Sequence, residues 1–129
     1  MTSNDEITGV ILAGGMSRRL GRNKALELVG GRPLISRVIE RVGSVANQIL
    51  VVVNNDQRSQ ELDLPPSVKS VVDEYPDTGS LGGIYTGLSN ARTPWIVVVA
   101  CDLPFLNKKL LKLLVDNRRD SDVVVPVLD

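Results

Sequence analysis

Val10-Ile11-Leu12-Ala13-Gly14-Gly15-Met16-Ser17-Arg18-Arg19-Leu20-Gly21-Arg22-Asn23-Lys24 joins a short apolar run to a pair of glycines and then to a cluster of cations. The run Val10 to Ala13 reads as a buried strand, and Gly14-Gly15 lets the backbone turn sharply with no side chain over its N–H groups. Arg18, Arg19, Arg22 and Lys24 follow, with no acid between Gly14 and Leu26. Positive charge is thus concentrated at one loop of a chain whose formal net charge is zero. Exposed backbone donors beside several cations make a seat for an anion, phosphate above all. The P-loop spacing G-x-x-x-x-G-K-[ST] is absent, because neither Gly14 nor Gly15 has a glycine five positions on, and no G-x-G-x-x-G occurs.

The pattern that does fit, L-A-G-G-x-S-x-R-x-G-x-x-K from Leu12 to Lys24, specifies eight residues over thirteen positions. It resembles the signature of the nucleotidyltransferases with a Rossmann-like NTP-binding domain, and among them the molybdenum cofactor guanylyltransferases. The resemblance implies a three-layer α/β/α fold with a mostly parallel sheet, and residues 1–129 forming a single nucleotide-binding domain. It also implies further strands and helices beyond Asp129, so that the chain would represent the N-terminal part of such a domain.

Composition excludes several classes of chemistry. The 129 residues are 43% hydrophobic and 23% charged, which suits one globular unit, and with only 3% aromatics its core must be aliphatic. The absence of histidine removes Ser-His-Asp and Cys-His catalysis and the usual His/Cys zinc sites. Balanced charge, with one basic loop and no basic face, argues against nucleic-acid binding. The lone Cys101 forms no internal disulfide, and no leader or apolar run of membrane length is present, so a cytoplasmic protein with no membrane association is expected.

Along the chain, strand and helix patterns alternate. Pro33 to Val42 reads as a helix with Leu34, Ile35, Val38, Ile39 and Val42 on one face and Gly43 after it. Gln48 to Val53 is a β-branched strand of the kind covered on both faces, and it ends at Asn54. A short helix over Gln57 to Leu62, a strand over Val68 to Val72 ending at Asp73, and a long flexible loop from Glu74 to Gly83 follow. Ile84 to Ala91 reads as helix, Trp95 to Ala100 as an apolar strand running into Cys101-Asp102, and Asn107 as the cap of another helix. Asp122 to Val127 reads as the start of one more strand. This alternation predicts a parallel sheet with helices on both faces.

Ligands of such sheets bind beyond the carboxyl ends of the strands, where Gly14, Gly15, Asn54, Asp73 and Asp102 all fall. A carboxylate leaving a buried strand suits Mg²⁺, which takes one or two carboxylates together with phosphates and water; the competing role for Asp102 is a loop hydrogen bond. Asn54 offers both donor and acceptor but is also a common turn residue, and Asp73 can equally be a solvated loop carboxylate. By resemblance, Asp102 corresponds to the family's metal-binding Asp, and Asn54 and Asp73 to positions near the nucleotide. Leu12, Ala13, Gly14 and Gly15 would line the nucleotide, and Arg19 and Lys24 would hold its triphosphate. Thr78 to Gly83 resembles the family's second glycine-rich segment, in which Gly82 would help the backbone close over the nucleotide.

The activity so implied is transfer of GMP from GTP to the phosphate of molybdopterin, releasing pyrophosphate, with Mg²⁺ as cofactor. The choice of GTP over CTP follows from Gly14-Gly15, where cytidylyltransferase relatives tend to read Ala-Gly. Other small-molecule nucleotidyl transfer is the alternative within this chemistry, and a non-catalytic GTP-binding module is the alternative outside it. A homo-oligomer through an open sheet edge, and molybdoenzyme or cofactor-pathway partners, are compatible with the same reading.

Overall fold

The computed structural model describes residues 6–13, 26–103 and 105–127. Its centre is a four-stranded sheet of β1 (Ile7–Leu12), β4 (Gln48–Val53), β5 (Val68–Val72) and β6 (Trp95–Ala100), in the order β5-β4-β1-β6 with every pair parallel. The two central strands are built from Val, Ile and Leu because both of their faces are covered. Alternation along β1 sends Ile11 and Ala13 to one face and Val10 and Leu12 to the other.

On the first face, Ile11 and Ala13 join Val51, Val53 and Val99 of the neighbouring strands in the main core. Packed over them are Ile35, Val38 and Val42 of α1 (Leu34–Val42) and Leu111 of α4 (Lys108–Asp116). Leu62, just after α2 (Asp56–Glu61), closes this core at the β5 side. On the second face lies α3 (Ser80–Asn90), whose Gly83 and Gly87 sit directly over Leu12 and Val10. The predicted three layers are therefore present. Val10, Ile11, Val38, Val42, Val51 and Val53 are fully shielded from solvent, each contributing roughly 1.5–3 kcal/mol relative to exposure.

A small hairpin precedes α1. Leu28–Val29 (β2) pairs antiparallel with Arg32–Pro33 (β3) across Gly30 and Gly31, whose φ values of 60° and 79° are those of a two-residue turn that only glycine adopts cheaply. Pro33 is thus the last hairpin residue, extended at ψ 144°, and the helix begins one residue later than its sequence suggests. Arg37 holds the hairpin from α1, donating from Nε to the Val29 carbonyl at 2.6 Å and from Nη2 to that of Gly30 at 3.4 Å. Arg32 bonds Glu40 at 2.8 Å, and that hydrogen bond and the guanidinium charge hold the Glu40 carboxyl below its ordinary value.

Three further expectations are corrected. First, α2 starts at Asp56, because Asn55 caps it by accepting the Arg58 N–H at 2.9 Å. Secondly, α3 starts at Ser80, so residues read as loop are helical. Thirdly, Asp122 to Val127 pairs with no strand among the described residues, and Val123, Val125 and Val127 are exposed at 75%, 67% and 85%. A strand is held by ladder partners and a covered face; among the described residues no layer covers these valines, and Pro126 has no N–H to donate.

Asn107 caps α4 as expected, accepting from the N–H groups of Lys109 at 2.8 Å and Leu110 at 3.4 Å. Asn107→Ala should therefore lower stability by about 1 kcal/mol, read from the urea midpoint. An unchanged midpoint would mean that water serves these donors equally well.

Candidate nucleotide site at the carboxyl edge of the sheet

Because the four strands are parallel, their carboxyl ends share one edge. The chain moves outward from β1 to β4 and β5, then returns to the other side of β1 with β6. Strand order therefore reverses between β1 and β6, and an open α/β sheet has its crevice at such a point. Leu12 is in register with Val52 on one side and Ala100 on the other. The Ala13 N–H bonds the Val52 carbonyl at 2.8 Å, and the Cys101 N–H bonds the Leu12 carbonyl at 3.1 Å. Leu12 and Ala13 thus lead up to the crevice on one wall and Cys101-Asp102 on the other.

Gly14, Gly15, Arg19 and Lys24 lie outside the described residues. What precedes and follows them is firmly held. Ala13 is buried, and on the far side the Leu34 N–H bonds the Glu27 carbonyl at 2.8 Å beside the Arg37-braced hairpin.

Asp102 is exposed directly after the β6 end, and among the described residues its carboxylate makes no hydrogen bond or ion pair. No group of three or more Asp, Glu or Cys side chains able to enclose a metal occurs among the described residues. A hard cation here would be held by one carboxylate together with oxygens of a ligand and water, which is the donor set Mg²⁺ accepts. Cys101 is buried in the main core, a packing role rather than a reactive one.

Asn54 is half-buried immediately after β4 and has no side-chain bond among the described residues. The capping role that competes for an Asn at this turn is filled by its neighbour, Asn55.

Asp73 is 8% exposed, which rules out the reading as a solvated loop carboxylate. Its N–H continues the ladder to the Val53 carbonyl at 2.7 Å. Its Oδ1 accepts the Tyr75 N–H at 2.8 Å and the Thr86 hydroxyl of α3 at 3.3 Å. Thr86, fully buried, was not indicated by the sequence reading; the available signal was the run of small residues Gly82, Gly83, Thr86 and Gly87, which at helical spacing marks a face that approaches a sheet closely.

Gly82 is where the structure departs most from expectation. It lies in the first turn of α3 and is buried, not part of a flexible loop that closes over a ligand. A Cβ there would overlap the Tyr75 carbonyl and approach Thr78 Oγ1 to 2.5 Å and Asp73 Oδ1 to 2.9 Å. Its lack of a side chain lets α3 close on the end of β5.

Parallel strand order, the reversal at β1 and β6, and polar groups at that edge define a Rossmann-like α/β fold with a ligand crevice at the switch point. The chain belongs to the MobA-like NTP transferase domain family, whose model matches residues 9–129. It is 40% identical over 127 residues to a probable molybdenum cofactor guanylyltransferase of Natronomonas pharaonis, covering 94% of this chain and 61% of that protein. It is also 40% identical over 125 residues to the molybdenum cofactor guanylyltransferase of Desulfosudis oleivorans, covering 95% and 59%. Among solved structures, the molybdopterin-guanine dinucleotide biosynthesis protein A of Archaeoglobus fulgidus matches with a TM-score of 0.65 at 26% identity, over 83% of this chain and 53% of that one. The chain thus spans about three fifths of the length of the curated relatives it matches. Among the described residues no helix is long and apolar enough to cross a membrane.

Proposed function

We propose that this chain is the nucleotide-binding part of a molybdenum cofactor guanylyltransferase, which transfers GMP from GTP to the terminal phosphate of molybdopterin. The observation that carries this reading is the pairing of the β1 end with the β6 end at the point of strand reversal, with Asp102 two residues beyond Ala100, within a chain so similar to proteins bearing that name. A phosphate oxygen of the acceptor attacks the α-phosphorus of GTP, the bond to the β-phosphate oxygen breaks, and pyrophosphate leaves with its electron pair. The attacking phosphate is already ionised at neutral pH, so no general base is needed, consistent with a chain without histidine.

Catalysis then consists of alignment and charge neutralisation. Arg19 and Lys24 hold the triphosphate, Gly14 and Gly15 supply backbone donors, and Leu12 and Ala13 carry that loop on a buried strand. Asn54 and Asp73 face the nucleoside portion. Asp102 would hold Mg²⁺, which when bound neutralises phosphate charge. The cytoplasmic setting expected from the cysteine content belongs to the same reading.

Calorimetric titration with GTP, CTP and ATP, with and without Mg²⁺, tests this. GTP should bind at least about tenfold tighter than the other two, a difference of roughly 1.4 kcal/mol, and Mg²⁺ should strengthen it. Tighter binding of CTP would move the assignment to cytidylyl transfer, and no nucleotide binding by the folded chain would refute it.

A further inference from the structure

We propose that Thr86 is a positioning residue of the nucleotide site, acting through Asp73; this rests on the reading of that edge as the GTP site. Thr86 lies in the middle of α3, fully buried, on the face that packs against the sheet. A hydroxyl in such a place costs free energy unless it is paired, and valine would fill nearly the same volume. Both of its partners lie at the carboxyl end of β5: its Oγ1 accepts the Glu74 N–H at 3.0 Å and donates to Asp73 Oδ1 at 3.3 Å. The direction follows from the chemistry. A backbone N–H can only donate, so it takes a hydroxyl lone pair, and an ionised carboxylate can only accept, so it takes the hydroxyl proton.

Asp73 Oδ1 therefore receives two donors, Thr86 from the helix and the Tyr75 N–H from its own turn at 2.8 Å. Among the described residues, Oδ2 receives none. The carboxylate is held from one side only, with one oxygen committed and the other available to a ligand donor, such as a ribose hydroxyl or a base N–H. Gly82 makes this possible, because a Cβ there would lie 2.9 Å from Oδ1, closer than a side chain can stand. No side chain of the first turn stands between the helix and the carboxylate. A carboxylate already fixed in one rotamer loses less freedom when the ligand binds, and affinity gains accordingly.

A threonine that only fastened α3 to β5 would affect stability without acting through Asp73. The two roles separate in a double-mutant cycle on ligand affinity, with unfolding in urea measured beside it. The 129-residue chain and its Thr86→Val, Thr86→Ser, Asp73→Asn and Asp73→Asn/Thr86→Val variants are titrated with GTP and Mg²⁺. Thr86→Val should weaken GTP binding about tenfold and Thr86→Ser less than about threefold, while in the Asp73→Asn background the valine should add less than about twofold. If the valine variant shows no cooperative urea transition, Thr86→Ala takes its place, since it leaves room for water to reach the Glu74 N–H.

Three results would overturn the proposal: GTP binding by Thr86→Val as tight as in the unaltered chain, an equal loss with and without the Asp73 carboxylate, or no loss on Asp73→Asn. Failure of the unaltered chain to bind GTP would instead remove the reading of the site, and this role of Thr86 with it.

Discussion

With Asp102 as the proposed Mg²⁺ ligand, Asp102→Ala is expected to abolish the gain in GTP affinity proposed for Mg²⁺, and to lower the proposed guanylyl transfer by on the order of 10²- to 10³-fold, the loss seen when one preorganised charge-stabilising group is removed. Stability should change by less than about 0.5 kcal/mol. The asymmetry follows from the placement of Asp102. Its side chain is exposed, so truncation breaks no hydrogen bond or ion pair among the described residues. The ladder is complete one residue earlier, where the Cys101 N–H reaches the Leu12 carbonyl. Asp102→Asn preserves shape and removes charge, and should behave like the alanine variant. Glu74→Ala and Asp77→Ala remove exposed carboxylates that follow β5 rather than β6, and should leave the magnesium effect in place. Retention of that effect by Asp102→Ala, measured by titration with and without the metal, would take Asp102 out of the site.

The parts of this fold legible from sequence are those in which chemistry is local. Ile49 to Val53 and Trp95 to Ala100 are continuous apolar runs, and Val68 to Val72 is a weaker pattern interrupted by Lys69 and Ser70; the strands Gln48–Val53, Val68–Val72 and Trp95–Ala100 have the expected limits. Asn107 announces its helix because a cap acts on the next three residues. The alignment of Asn54, Asp73 and Asp102 on one edge was also legible, since parallel strands allow no other placement. What was hidden depends on contacts distant in sequence. Apolar spacing in α3 picks out Ile84 and Leu88, yet Leu88 is 57% exposed and the buried face consists of Gly82, Gly83, Thr86 and Gly87. Closeness of approach, not hydrophobicity, selected those residues, and Leu81 and Tyr85 are left on the outer surface. The burial of Asp73 was hidden for the same reason, because it requires α3 to begin four residues earlier than its apolar pattern suggests.

Gly82→Ala should make this closeness measurable in both stability and binding. In a helix the substitution is favourable by up to about 1 kcal/mol, because glycine is the poorer helix former. Here the added methyl would run into the Tyr75 carbonyl, Thr78 Oγ1 at 2.5 Å and Asp73 Oδ1 at 2.9 Å. The Thr78 hydroxyl is itself bonded to the Tyr75 carbonyl at 2.7 Å, and Asp73 is held by two donors, so neither can swing aside freely. Overpacking of this kind costs about 1–3 kcal/mol, and three fixed neighbours place it at the upper end, so a net destabilisation of about 2 kcal/mol is expected. The start of α3 must also move away from the end of β5, stretching the Thr86 to Asp73 bond that is already 3.3 Å long. GTP affinity should therefore fall by about tenfold or more. Gly31, with open space where its Cβ would stand, lies in the β2–β3 turn and not at the junction of α3 with β5. Its positive φ makes alanine there cost about 1 kcal/mol through backbone strain, so Gly31→Ala is a matched control that loses stability and keeps the nucleotide. A Gly82→Ala protein with an unchanged urea midpoint would mean that α3 approaches β5 less closely than this packing requires. Equal losses of GTP affinity in the two variants would separate the end of β5 from the site.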